Sequence, residues 1–247
     1  VLNPYEAPQI VSEYLFFHYA TFTEAAGDLP VPENAWGFAQ RVVTTLLDTQ
    51  SMPTTALDIG CAVGASSFEL ARSIPRVLGI DYSQAFIEAA EALKNDGWLA
   101  AEVPMEGRKT QPFVARVPTA IDRQRVQFET GNAIDLRSDL GRFDVVLAAN
   151  LLCRLPAPVA FIERVAELVA PGGQLLLASP FSWLEEYTPP FLWLGGQQEG
   201  PPSADVLKEK LSTHFQLEHE INLPFLIREH SRKFQYGISF GTRWRRL

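Results

Sequence analysis

The apolar positions along the chain change period twice. Over 5–19 and 35–49 they recur at helical spacing. Val11, Tyr14, Leu15 and His18 share one face of the first stretch, and Ala39, Val42, Val43, Leu46 and Leu47 form a stripe along the second. From Ala56 onward, short continuous apolar runs take over, at 56–60, 76–81, 126–130, 143–149 and 174–179. Helical patterns follow the first two runs, through Phe68 and Leu70 and then over 85–93. A third fills 157–169 and is closed by Pro171-Gly172-Gly173. Brief buried strands alternating with helices predict a parallel sheet with helices on both faces.

The carboxyl-terminal pattern is different. A helix is expected over 204–212, followed by strand-like stretches at 215–228 and 233–244. Too few residues separate these two for a crossover helix, so they should pair antiparallel. Five parallel strands plus a terminal antiparallel pair is how class I methyltransferases complete their Rossmann-like α/β sheet, whereas nucleotide-dependent dehydrogenases usually do not. Two segments fit no regular unit. Residues 97–125, with Pro104, Pro112 and Pro118, are expected to form a β-hairpin insertion turning near Glu106-Gly107. Residues 180–203, rich in aromatics, prolines and glycines, have the composition of a lid. The chain reads as one domain, 1–247, with 1–50 as a helical cap.

In such a sheet, ligands bind beyond the carboxyl ends of the strands where the strand order reverses. The first strand ends there in LDIGCAVGASS, residues 57–67, so Gly60 to Gly64, including Cys61, should face a ligand. Asp81 ends the second strand, where a carboxylate can take both ribose hydroxyls, and Tyr82 follows it. Asn132 and Ala133, just past the third strand, are placed to meet an adenine edge. A pyrophosphate would need closely spaced glycines. Here the pattern is Gly-x-x-x-Gly, and Ala62 breaks the dinucleotide fingerprint. S-adenosylmethionine carries no phosphate, so a methyl group at position 62 is tolerable, and an acid such as Asp58 suits its charged amino-acid end.

Composition narrows the partners. A net charge of −8 argues against nucleic acid or anionic lipid. No apolar run reaches the ~18 residues of a membrane span, and the amino terminus lacks a signal-peptide pattern. Two cysteines, Cys61 and Cys153, make neither a disulfide framework nor a zinc set, so a reducing cytoplasm is the expected location and no metal is expected. They follow two strands that should be neighbours and are expected to be small buried thiols. Asn150 closes the fourth apolar run, where class I enzymes place residues that touch cofactor and substrate. The stretch Asn150-Leu151-Leu152-Cys153 replaces the Asn-Pro-Pro-Tyr of nucleic-acid amino-methyltransferases, which counts against a flipped base. Tyr14, His18 and Tyr19 read equally as packed residues of an apolar helix face. Glu185, Glu186 and Tyr187 lie in the suspected lid, and Arg228 and Arg232 lie near the turn of the terminal hairpin.

Five stretches together go beyond a generic fold: EYLFFHY at 13–19, LDIGCAVGASSFELAR at 57–72, AANLLCRL at 148–155, SPFSWLEEYTP with WLGG at 179–196, and PFLIREHSRKFQ at 224–235. Along almost its whole length the chain resembles the methyltransferases of ovothiol biosynthesis. The glycine turn is shared by all class I enzymes, so the lid and hairpin motifs carry the resemblance. Asn132 departs from the aspartate of many class I relatives, which changes the hydrogen bonds open to adenine.

The resemblance implies methylation of a ring nitrogen of 5-thiohistidine by S-adenosylmethionine. The family occurs both alone and as the carboxyl-terminal module of an iron-dependent sulfoxide synthase, and a chain that opens on valine is compatible with either. It further implies Asn150, Tyr14 and His18 at the chemistry and Tyr19 beside the cofactor. Arg228 or Arg232 would hold the substrate carboxylate, and Glu185 or Glu186 its amine. A different small amine, imidazole or thiol as acceptor, or a module that binds S-adenosylmethionine without turnover, stays open at this point.

Overall fold

The computed structural model describes residues 3–247. Tyr5 precedes α1 (Pro8–Tyr19), whose first position is a proline that needs no amide partner. A short α2 (Phe22–Ala26), unforeseen from the apolar pattern, is opened by a reciprocal capping box between Thr21 and Glu24. The second amphipathic stretch folds as α3 (Phe38–Leu46), shorter than the 35–49 expected. Gly37 sits in the left-handed region at φ 68° and admits helix only after it, and the backbone turns extended at Leu47.

The apolar runs become β1 (Thr55–Ile59) and β2 (Arg76–Asp81), each followed by a helix, α4 (Ala65–Leu70) and α5 (Gln84–Asp96). Next comes the expected hairpin, β3 (Trp98–Glu106) and β4 (Lys109–Arg116), which forms a separate two-stranded sheet. The remaining elements are β5 (Val126–Thr130), β6 (Phe143–Ala149), α6 (Pro158–Leu168), β7 (Val169–Ser179), α7 (Ser203–Ser212), β8 (Phe215–His230) and β9 (Lys233–Arg246). β7 begins five residues earlier than the apolar pattern suggested. Val169 pairs with Phe143, and the register slips across Pro171-Gly172-Gly173 before Gln174 meets Val145.

The main sheet has the order β5-β2-β1-β6-β7-β9-β8. The first five strands run parallel, and β9 enters antiparallel between β7 and β8. The strand order reverses at β1, which lies between β2 and β6, so a crevice opens beyond the carboxyl ends of those strands. Alternation along β6 places Val145 and Leu147 in one core cluster and Val146 and Ala148 in the other. The first cluster joins α1, α3, α4 and α5, and the second joins α6 and α7, so helices cover both faces. The β3–β4 hairpin leans on α1, where Phe16 and Phe113 meet edge to face at 4.9 Å. Among the described residues no helix is long and apolar enough to cross a membrane.

Candidate active site

A cavity of about 710 Å³ occupies the crevice. Its cofactor-like half is built from strand ends. Gly60, just past β1, has φ 77°, and a Cβ there would come within 3.1 Å of Leu151 beyond β6. Glycine lets the two strand ends approach each other. Ala62 also takes a left-handed conformation, at φ 47°, which normally favours glycine. That backbone turns its N–H onto Asp81 Oδ2 at 2.8 Å, while the Ser83 N–H donates to Oδ1 at 2.9 Å. Each Asp81 oxygen therefore keeps a lone pair for a diol. Burial pushes the Asp81 carboxyl upward, opposed by these backbone donors.

Asp58 is buried, accepts from Ser67 Oγ at 2.6 Å, and faces the same cavity. Burial raises its carboxyl to about 7, the Ser67 hydroxyl works against this, and the charge of Asp81 adds to it. A buried carboxylate without a cation is costly, so the site is suited to an ammonium group. Cys61 is a buried free thiol on the wall, pushed well up by burial and by the charges of Asp81 and Asp58. Cys153, also free and buried, lines the cavity too. Tyr82, Asn132 and Ala133 also line this half of the cavity. The Asn132 Oδ1 accepts from the Ile134 N–H at 3.2 Å, which leaves its amide nitrogen as a donor toward an adenine ring acceptor.

The opposite half draws on distant segments. Tyr14 and His18 of α1 line the cavity with their rings 5.7 Å apart. Burial lowers His18 to about 4, and its Nδ1 has no partner among the described residues. Burial raises the Tyr14 phenol to about 12, and Asp81 and Glu13 add to the rise. Asn150 follows β6 at φ 54° and lines the wall with Glu186. Phe225, Ile227 and Gln235 of the β8–β9 ribbon line it as well. The 180–203 segment contributes Pro180, Ser182, Glu186 and Tyr187. It is tied down by Thr188 Oγ1, which donates to the Leu155 carbonyl at 2.7 Å, and by Trp193 Nε1, which donates to the Thr188 carbonyl at 2.8 Å.

Five expected contacts are not made. The Tyr19 hydroxyl donates to the Val63 carbonyl at 2.8 Å, so it braces the turn from behind instead of lining the cavity. Gly64 caps α4 at φ 85°, and a Cβ there would meet Phe128 at 2.6 Å, so its role is packing. Glu185 is exposed beside Glu186 but off the wall. Arg228 fails for a reason of period. Phe225 and Ile227 of β8 face the cavity, so residue 228 points to the other side of the ribbon. Its guanidinium is buried over the Phe16 ring at 4.8 Å, with Nη2 3.1 Å from Met105 Sδ. Arg232 lies exposed at the tip between β8 and β9.

The cation that does line the cavity is Arg154, which sequence reasoning missed although it stands within AANLLCRL. It ends a short turn, Leu152–Arg154. Its Nη1 donates to the Ser182 carbonyl at 2.8 Å, and its guanidinium lies 5.1 Å from the Tyr187 ring centroid. Its position past the fourth apolar run was the available signal. Tyr5 was missed too, and it reaches the wall because the Ser83 hydroxyl donates to its carbonyl at 3.0 Å.

These features fit an adenosine-linked cation: a buried acid for its ammonium, a half-free carboxylate for its ribose and a donor for its base. Comparison with known proteins agrees. A family model described as "Methyltransferase domain" matches residues 33–220, well over half of the chain. The chain is 25% identical over 123 residues to the ubiquinone biosynthesis O-methyltransferase of Coxiella burnetii, covering 50% of this chain and 42% of that protein. It is 24% identical over 133 residues to the ajmaline N-methyltransferase of Rauvolfia serpentina, covering 53% and 38%. The chain thus spans about two fifths of the length of these curated relatives. The structure of the N-methyltransferase NodS of Bradyrhizobium japonicum with S-adenosyl-L-homocysteine superposes with a TM-score of 0.54. It covers 96% of this chain and 98% of NodS at 16% identity, a likeness of fold. The chain belongs to the methyltransferase domain family, with a Rossmann-like fold and S-adenosylmethionine as its cofactor.

Proposed function

We propose that this enzyme methylates a ring nitrogen of 5-thiohistidine. The observation that carries the reading is the pairing of Arg154 and Glu186 on the wall of one cavity with the strand-end carboxylates. An α-amino acid offers a carboxylate and an ammonium, which a guanidinium and a carboxylate recognise with charge-assisted hydrogen bonds. The Arg154 Nη1 is committed to carbonyls of Ser182 and Cys153, which orients the rest of the fork for a ligand. The family resemblance of 148–155 and 179–196 supports the same substrate, with Arg154 taking the part first given to Arg228 or Arg232.

When bound, S-adenosylmethionine supplies an electrophilic methyl group on a sulfonium. Asp58, Asp81, Tyr82 and Asn132 would hold it, and the protein's remaining work is positioning. An imidazole nitrogen already carries its lone pair near neutral pH, so the acceptor needs no base to become reactive. His18 suits that chemistry, because at a pKa of about 4 it stays neutral and can accept a ring N–H without taking the proton. A phenolic acceptor would need a stronger base than that. The thiolated substrate would come from a sulfoxide synthase, fused or separate.

The test is incubation of the protein with S-adenosylmethionine and either 5-thiohistidine, histidine or a catechol. The expected product is 5-thiohistidine heavier by one methyl group. A site that bonds the sulfur should discriminate against histidine by ~10⁴, and one that merely leaves a gap by ~10–200-fold. Equal rates on histidine and 5-thiohistidine, or methylation of the catechol alone, would refute this substrate.

A further inference from the structure

We propose that Ser239 is a positioning residue that orients the Asn150 carboxamide so that its NH₂ group faces the cavity as a hydrogen-bond donor. The inference depends on methyl transfer in this cavity and holds whichever acceptor is used. Asn150 is clamped at its backbone. It sits at φ 54°, in the left-handed region, and its N–H donates to the Ala178 carbonyl of β7 at 2.8 Å. Asparagine tolerates this conformation better than most residues, yet such strain persists where the surroundings enforce it.

The side chain is fixed separately. A carboxamide has an accepting end and a donating end of nearly the same shape, distinguished by the partners around them. The Ser239 Oγ donates to Asn150 Oδ1 at 2.6 Å. With the oxygen engaged, Asn150 Nδ2 makes no hydrogen bond among the described residues and belongs to a side chain on the cavity wall. The transfer site therefore presents a donor, which favours an acceptor group, a lone-pair-bearing sulfur or oxygen, beside the atom that receives the methyl.

Nothing in the packing calls for a hydroxyl at 239. On β9, Gln235, Gly237, Ser239 and Gly241 share one face, opposite Ile227, Phe225, Leu223 and Ile221 of β8. Phe225 and Leu223 occupy the space that side chains at 237 and 241 would need. Ser239 is thus a fully buried hydroxyl between two glycines, and Asn150 is its partner. Burying a hydroxyl is unfavourable unless its hydrogen bond is made. β9 therefore reaches past the end of β7 to set a residue at the end of β6.

Two measurements test this on the full chain. In ¹⁵N-labelled protein with S-adenosylmethionine, the Asn150 side-chain amide is identified by its loss in Asn150→Asp. It should shift in Ser239→Ala and stay near its place in Ser239→Thr, and an unmoved resonance in Ser239→Ala would overturn the inference. With a turned-over acceptor, Ser239→Ala should lower kcat/KM by about tenfold, the size of one lost hydrogen bond, with the thermal midpoint little changed. Ser239→Thr should restore most of it. Ser239→Ala should cost nothing more in an Asn150→Ala background, and additive losses would overturn the coupling. If 5-thiohistidine is not a substrate, the substrate proposal fails, while the amide resonance still decides this one.

Discussion

Asp81 and Arg154 face the same cavity, yet the fold delivers them in different ways. Asp81 is set by its neighbours in the sheet. It ends β2 opposite Thr130, and the turn beside it is bound by the Gly60 N–H to the Ile80 carbonyl and the Gly131 N–H to the Asp81 carbonyl, both at 2.8 Å. Arg154 stands on an irregular turn, and the residues that aim it, Ser182 and Tyr187, come from a segment some thirty positions later. The same contrast separates the two halves of the site. Where a strand end holds a residue, its place follows from the register. Where segments remote in sequence converge, a charge reaches the cavity only if the tertiary packing turns it there.

The sharpest test of that contrast is a pair of arginines. Arg154→Ala should raise the substrate KM by roughly 100-fold, the loss of a charge-assisted fork, and leave cofactor affinity nearly intact. Arg228→Met should leave both constants unchanged, since its guanidinium is buried against Phe16 and Met105 away from the cavity. It should also hold or raise the thermal midpoint, because Nε and Nη1 have no hydrogen-bond partner among the described residues and a charge is costly to bury alone. A large KM effect at Arg228 would return the carboxylate to the hairpin.

The cofactor half predicts a smaller loss. Asp81→Ala should weaken S-adenosylmethionine by about tenfold or more, as calorimetry would measure, through the lost acceptors for the ribose. Unchanged affinity in a folded variant would place the ribose elsewhere.

The remaining test is of pH. Burial raises Asp58 to about 7, above the ~4 of an unfolded aspartate, so the folded protein holds this proton more tightly than the unfolded chain does. The contribution of Asp58 to stability without cofactor should therefore fall as pH rises from about 4 to about 7. Cofactor affinity should move the opposite way. The cofactor's ammonium favours the ionised acid, so binding should tighten as pH rises through about 7. Asp58→Asn should flatten both profiles, and a binding profile that kept its slope would assign the effect to another group.

The sequence by itself determined the parts whose physics is local. Periods of apolar residues marked the parallel strands, and β2, β5 and β6 match their apolar runs residue for residue. The separation of Gly60 and Asp81 placed a carboxylate at a strand end beside the turn, and the hairpin of 97–125 followed from its turn near Gly107. Each needs only neighbours in the chain or in the adjoining strand. Tertiary structure alone decided which charges and hydroxyls of the remote segments meet the cavity. Side-chain alternation along β8 turned Arg228 away and Ile227 inward, so a two-residue period overrode a plausible placement. Tyr19 lay on the right helix but met the Val63 carbonyl first, and Gly64 was claimed by the Phe128 ring. Ser239 and Tyr5 carry no local signal, and Arg154 has only its position past the fourth apolar run, because each acquires its role from a partner 89, 78 and 28 residues away, respectively. Strand ends are fixed by backbone hydrogen bonds that any apolar run can make, but the convergence of remote side chains depends on the packing of the whole chain.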